Sequence, residues 1–287
     1  MVGSRKNVRV VLFWILCYPH GEQTKAKDFY NIAGRSIMPE EVGSITVYRI
    51  GELSRLTGVK AGTIRFYEQC GFIGPVERSS NNYRLYRRRH LYQVRVCRLI
   101  FGGFVNRRLR RESRKVLDAS VRWDLEAYGE AVANYQRAVE EDIAGTRKAI
   151  AICMRRMEQE TGEECRCTRK QAAAMVGVTP ETVRGWERNG LLGQHEPYRK
   201  RFYGQALQNR MYVIRLLLDT GYSMMAVRSF VQEYTCGHPK SAGKLLTAPG
   251  EEELRYRSDR YLEALLHLRE KTRLLGEMKA EMEACEI

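Results

Sequence analysis

One short segment occurs twice in this sequence, which limits the 287-residue chain to folds that contain two copies of one small unit. Residues 58–73 read GVKAGTIRFYEQCGFI, and residues 177–192 read GVTPETVRGWERNGLL. Six of the sixteen positions are identical, and the offset is 119 residues throughout. We therefore expect two related small domains with a spacer between them.

Each copy has the pattern of two short helices joined by a tight turn. Apolar residues recur at helical spacing over residues 50–56, and Gly58 is placed to end that helix. A second helix is predicted over residues 61–69. In the second copy, Thr179 is the expected N-cap and Pro180 takes the first helical position. This order predicts a helix-turn-helix, whose second helix enters the major groove in DNA-binding proteins.

An aromatic and basic segment follows each helix pair, at residues 81–89 and 198–203. Asn81 and Asn82 suit a hairpin turn, and the alternating residues after them predict a small β wing. Further helices are predicted over residues 91–101 and 207–218. Long helices with apolar residues three and four apart are predicted over residues 125–157 and 254–282, and both have the spacing of a coiled-coil seam.

The positive charge is concentrated in the two repeats. The net charge is +15, and residues 48–115 hold seventeen lysines and arginines against four acidic residues. Residues 167–235 hold ten against five, whereas residues 122–164 hold six against ten. Basic repeats around an acidic spacer indicate a polyanionic ligand, and nucleic acid is the commonest one.

The motifs YRIGELSRLTGV, TIRFYE, GF, NNYRLY and GGF, in this order, resemble the DNA-binding domain of the MerR family of transcription regulators. The resemblance covers residues 47–117 and, less regularly, residues 167–234. Ala61 and Gly62 depart from the family pattern, as do Trp186 and a wing shortened by two residues in the second copy. The expected fold is mainly α, with two winged helix-turn-helix domains, each followed by a long coiled-coil helix.

The resemblance implies DNA-binding residues on the second helix and wing of each copy. Base edges are read by residues near the helix N-terminus, here Lys60, Gly62 and Thr63 in the first copy and Thr179, Glu181 and Thr182 in the second. The residues implied to hold phosphates are Arg65, Tyr67, Arg84 and Tyr86, with Thr182, Arg184, Arg201 and Tyr203 at the matching positions. For Trp186 and Tyr67 a place in the core is the open alternative.

The predicted order along the chain is a disordered or mis-assigned leader over residues 1–45, a first DNA-binding domain over 46–121, a coiled-coil helix over 122–162, a second DNA-binding domain over 165–235, a loop over 236–250 and a second coiled-coil helix over 251–287. MerR-type proteins are dimers whose long helices pair antiparallel. The resemblance therefore implies that one chain folds back as a pseudo-dimer, with its recognition helices about one DNA turn apart. It also implies activation by DNA distortion, with RNA polymerase as a further partner. The alternative is a homodimer, self-associated through its coiled coils, with four DNA-binding domains.

A candidate effector site combines Cys165 and Cys167 with Cys236 and His238. Thiolates and an imidazole suit zinc or copper, and metal sensors of the family place ligands in similar positions. The alternatives are ordinary buried thiols, a small-molecule pocket among the coil aromatics Trp123, Tyr128, Tyr135 and Tyr261, or no effector at all.

Other functional classes have less support in the sequence. Phosphate-binding glycine loops, nucleophile elbows and HExxH motifs are absent from it, so we expect no enzyme. The eight irregularly spaced cysteines favour a reducing compartment, and we expect the cytoplasm. A recombination accessory factor is the alternative DNA-binding role.

Overall fold

The computed structural model describes residues 47–102, 106–154, 167–193, 201–236 and 251–285. The predicted leader over residues 1–45 lies outside these ranges. The chain divides into two compact units. Within the described ranges, one comprises residues 47–102, 113–132 and 275–285, and the other comprises residues 106–112, 133–154, 167–193, 201–236 and 251–274. No helix within the described ranges is long and apolar enough to cross a membrane.

The first unit is a helix-turn-helix with a three-stranded wing. Its elements are β1 (Val47–Tyr48), α1 (Ile50–Thr57), α2 (Ala61–Cys70), β2 (Glu77–Arg78), β3 (Arg84–Arg87) and α3 (Arg88–Phe101), with parts of α4 (Arg107–Arg122), α5 (Leu125–Met154) and α10 (Glu251–Glu283). β3 is the central strand and pairs antiparallel with both β1 and β2. The wing is therefore attached to the strand that leads directly into α3.

The turn between α1 and α2 depends on a glycine, as the sequence predicts. Gly58 has φ +66°, a left-handed conformation that glycine adopts without steric cost. The turn brings buried Leu53 and Ile64 together in the core of the unit. The rings of Tyr67 and Phe101 pack beside them, with 5.3 Å between their centroids.

The third helix begins at Arg88, three residues before the predicted start. The reason is a cap that the helical pattern alone does not reveal, because the backbone N–H of Arg87 donates to Nδ1 of His90 at 2.9 Å. The buried His90 also places Nε2 3.2 Å from the carbonyl oxygen of Pro75. Burial lowers the pKa of His90, which favours the neutral ring that this pair of contacts requires.

The second unit repeats the helix-turn-helix with α6 (Arg169–Val176), α7 (Pro180–Arg188), α8 (Gln205–Asp219) and α9 (Met224–Cys236), together with parts of α4, α5 and α10. Gly177 has φ +76° at the position that corresponds to Gly58. A single antiparallel bridge between Cys167 and Tyr203 stands where β1 and β3 pair in the first unit. The core includes Val183, Trp186 and Leu191. Both copies thus have the predicted architecture, although residues 194–200 of the second wing lie outside the described ranges.

The long helices α5 and α10 pack against each other within each unit. In the second unit, Gln136 Nε2 donates to the carbonyl oxygen of Thr272 at 2.9 Å, and Glu140 lies 3.9 Å from Arg269. Residue numbers rise along one helix as they fall along the other, so the two helices are antiparallel there. In the first unit, the hydroxyl of Tyr128 donates to the carbonyl oxygen of Leu275 at 3.0 Å.

Aromatic residues of these helices are buried along the seam rather than arranged around an open space. Tyr128, Tyr135 and Tyr261 are all buried. This placement favours the core role over a small-molecule pocket formed by these rings.

A buried ionic cluster joins α4, α5 and α8 in the second unit. The fully buried carboxylate of Asp142 accepts from Arg108 at 2.9 Å, from Arg215 at 2.6 Å and from Asn106 at 2.5 Å. Arg215 also lies 3.3 Å from Asp219. Burial disfavours the charge on Arg215, but Asp142 and Asp219 outweigh it and raise the pKa of the guanidinium.

Candidate nucleic-acid interface

The exposed face of α2 presents basic side chains close to its N-terminus. Lys60 is the N-cap residue and Arg65 lies one turn further along, and both are exposed. Neither side chain has a hydrogen bond or ion pair with another residue in the described part of the chain. The opposite face packs Ile64 and Tyr67 into the core. The helix therefore presents cations to solvent at the end that would read bases in a major groove.

The corresponding helix of the second unit, α7, carries a different set of exposed groups. Thr179 caps it, because its hydroxyl oxygen accepts from the backbone N–H of Thr182 at 3.2 Å. The two threonine hydroxyls are 2.9 Å apart, so they also bond to each other. Glu181 and Arg184 are exposed and have no hydrogen bond or ion pair within the described ranges. These two charged groups are therefore available to a ligand.

The wing of the first unit is tied to its recognition helix by an ion pair. Arg84 Nε on β3 donates to Glu68 on α2 at 2.7 Å. At the hairpin tip, Asn82 has φ +62°, which asparagine tolerates, and its side-chain oxygen accepts from Arg78 at 2.9 Å. Tyr83 next to the tip is 66% exposed. The wing thus places an exposed aromatic ring beside several guanidinium groups.

The second unit uses the matching glutamate differently. Glu187 accepts from the hydroxyl of Tyr203 and pairs with Arg169 at 3.0 Å. The guanidinium of Arg201 donates to the carbonyl oxygen of Leu192. In both units, side chains therefore connect the segment before the third helix to the preceding helix-turn-helix. The first unit uses the pair Arg84 and Glu68, and the second uses Tyr203 with Glu187 and Arg201 with Leu192.

The predicted DNA-binding residues separate into surface and core positions. Those at least partly accessible are Lys60, Thr63, Arg65, Arg84, Thr179, Thr182, Arg184 and Arg201. Tyr67, Tyr86, Trp186 and Tyr203 are buried. Burial raises the pKa of Tyr86 and Tyr203, and the hydroxyl of Tyr86 is enclosed without a partner in the described ranges. For these four rings the structure favours a supporting role in the core over contact with phosphate.

Two surface features of the first wing were not predicted as contacts from the sequence. Tyr83 and Arg78 lie on either side of the hairpin turn, and both are exposed to a ligand that would bind beside the wing. The Asn81-Asn82 turn signal was enough to find them, because residues that flank a hairpin tip project from the body of a domain.

The candidate metal ligands lie mostly outside the described part of the chain. Cys165 and His238 fall in undescribed segments, and Cys236 is the last residue of α9. Cys167 supplies the backbone carbonyl that pairs with Tyr203. Among the described residues there is no group of three or more His, Cys, Asp or Glu that would hold a metal ion. The four-residue site therefore stays a prediction.

Two regions of the chain match known family models. Residues 49–86 match the model of the MerR family regulatory protein, and residues 167–234 match that of the MerR HTH family regulatory protein. The two matches fall on the two helix-turn-helix units described above. No solved structure was found to match the chain.

Curated proteins similar to part of the chain are named as transcription regulators. The HTH-type transcriptional regulator CueR of Escherichia coli O6:H1 is 39% identical over 49 residues, which cover 17% of this chain and 36% of that protein. HmrR of Sinorhizobium medicae is 41% identical over 49 residues, 17% of this chain and 33% of that protein. The ZntR homolog of Haemophilus influenzae is 44% identical over 46 residues, 16% and 34% of the two chains. This chain spans about a third of the length of these relatives.

Proposed function

We propose that this chain, whose two helix-turn-helix regions match MerR-family models, is a transcription regulator that binds one pseudo-palindromic DNA site with both regions at once. Each region would place its recognition helix, α2 or α7, in the major groove of one half-site. The half-sites would lie about one DNA turn, roughly 34 Å, apart.

The observation that carries this proposal is the charge on the outer faces of α2 and α7. Arg65 and Arg184 occupy matching positions, are exposed, and have no ion-pair partner in the described ranges. An arginine without an intramolecular partner forms charge-assisted hydrogen bonds to phosphate without first losing another contact. The basic surplus in both repeats supports the same ligand.

The pairing of α5 with α10 supports binding as a single chain. Their antiparallel contacts, such as Gln136 with Thr272, lie within one polypeptide. The helix that a second subunit would supply in a dimer is thus available in the same chain. We therefore propose an intrachain pseudo-dimer with one chain per DNA site.

The proposed regulatory step is distortion of the DNA between the half-sites, which would reposition promoter elements for RNA polymerase. Bending or untwisting a short site costs on the order of several kcal/mol, and contacts made by both regions would offset that cost. The proposed place of action is the cytoplasm.

The stoichiometry of the complex tests the pseudo-dimer. Sedimentation of a fluorescent duplex with nanomolar protein should give a complex with one 33.3 kDa chain per duplex. Arg65→Ala and Arg184→Ala should each weaken binding and reduce the slope of log K against log salt by about 1. Arg137→Ala, which changes an exposed arginine on the acidic spacer helix α5, is the matched control and should leave both quantities unchanged.

Two other outcomes would point to the alternatives. Two chains per duplex, at all protein concentrations, would replace the pseudo-dimer by a homodimer with four DNA-binding domains. Footprinting at the promoter of its own gene separates a regulator from a recombination accessory factor, because protection between the promoter elements is expected only of the regulator.

A further inference from the structure

The two recognition helices carry different exposed chemistry at matching positions, and the largest difference is at positions 62 and 181. Gly62 is the second residue of α2, and Glu181 is the second residue of α7. The residues around them correspond, because Ile64 and Val183 are both fully buried and the next residue in each helix is an exposed arginine. Positions 62 and 181 therefore present the same point of each helix to solvent.

Glu181 is the acidic group at the reading end of α7. It is exposed and makes no hydrogen bond or ion pair in the described ranges, whereas the neighbouring hydroxyls of Thr179 and Thr182 bond to each other and cap the helix. At this end of the helix the available acceptor is therefore a carboxylate. Near the phosphates of DNA a carboxylate is repelled, so its position is favourable only where a base donates a hydrogen bond to it.

Resting on the DNA-binding function proposed above, we propose that Glu181 is a specificity-determining residue that reads a cytosine, and that the two half-sites differ at that base pair. A glutamate oxygen accepts from the exocyclic amino group of cytosine in the major groove. In the other half-site, Gly62 has no side chain to read the same base pair.

The consequence is a directional complex. A dimer of identical subunits reads both half-sites alike, so a palindrome gives it two equivalent orientations. A chain whose helices require different bases binds an asymmetric site in one orientation. For a regulator that acts on a promoter, this fixes which unit lies towards the start of transcription.

Selection of bound duplexes from a random pool tests the assignment. Wild-type protein should enrich cytosine at one position of one half-site only, with a preference of about 5- to 150-fold over other bases. Glu181→Gln should shift that preference from cytosine towards adenine, because a glutamine amide pairs with adenine N6 and N7. Gly62→Glu should create a cytosine preference in the other half-site. The substitution is sterically open, because a Cβ at Gly62 would meet no atom within 4 Å.

The competing explanation is that Glu181 only stabilises the N-terminus of α7, where acidic residues are favourable. Glu126 in the first turn of α5 is the matched control, and Glu126→Gln should change no base preference. A Glu181→Gln protein that melts lower but selects the same sites as wild type would overturn the assignment, as would wild-type sites with the same base in both halves. If wild-type protein enriches no sequence, the DNA-binding function itself fails, which is a different result.

Discussion

The buried carboxylate of Asp142 gives a sharp test of how the second unit is held together. Asp142→Asn keeps the shape of the side chain but removes its charge, and Arg108 and Arg215 then lose their shared partner. Breaking one side of a buried ion pair typically costs 3–5 kcal/mol. Each arginine retains a second acidic neighbour, Glu141 or Asp219. We therefore expect a loss of about 2–3 kcal/mol in the free energy of unfolding.

The assay is urea denaturation followed by the fluorescence of Trp186, which is buried in the second unit. Trp14 and Trp123 are replaced by phenylalanine so that the signal reports that unit. The matched control is Glu253→Gln, which removes a charge from an exposed pair with Arg257 in the same unit and should cost less than about 0.5 kcal/mol. Equal losses in the two variants would refute the idea that burial makes Asp142 important.

Three further predictions concern the titration of His90, the buried charge of Lys271 and metal binding by Cys165. Burial lowers the pKa of His90 below its ordinary 6.5, so its contribution to stability is full above about pH 6.5 and is lost as pH falls through the pKa of the folded state. In acid denaturation, the free energy of unfolding of His90→Gln should therefore fall less steeply with decreasing pH than that of wild type. Burial lowers the pKa of Lys271 to about 8, so the cost of its charge is present below about pH 8 and disappears between about pH 8 and 10.5. The free energy of unfolding of wild-type protein should rise over that range in urea denaturation, and Lys271→Met should remove this rise; the same pH dependence in both proteins would contradict the prediction. If the predicted set of Cys165, Cys167, Cys236 and His238 binds zinc or copper, Cys165→Ser should lower the metal content measured by elemental analysis, and equal content in both proteins would exclude Cys165 as a ligand.

The helices and their turns were predictable because they depend on local chemistry. Gly58 and Gly177 adopt the left-handed conformation that ends a helix, and Thr179 caps α7 as its position before Pro180 indicates. Each of these signals involves neighbours within a few residues, so one sequence is sufficient to read them.

Whether an aromatic ring faces the core or the solvent was not predictable from its neighbours in the sequence. The family resemblance implied that Arg84 and Tyr86, which alternate with Tyr83 and Leu85 in the predicted wing, both contact phosphate. In the structure, Tyr86 is buried against His90, with 6.0 Å between the ring centroids, because α3 begins immediately after the strand. The ionic cluster was also unpredictable, since Asp142 is 34 residues from Arg108 and 73 from Arg215.

Comparison of the two copies separates what the fold requires from what a ligand would require. Positions that hold the turn and core keep their character, since Gly58 matches Gly177 and buried Tyr67 matches buried Trp186. Position 62, which faces solvent, differs completely from its counterpart, Glu181. In a dimer of identical chains, a change on a recognition helix alters both half-sites together. With both copies in one chain, each helix can change alone. Divergence at exposed positions such as 62 and 181 is therefore open to a single-chain protein that binds DNA in one direction, and is not open to a symmetric dimer.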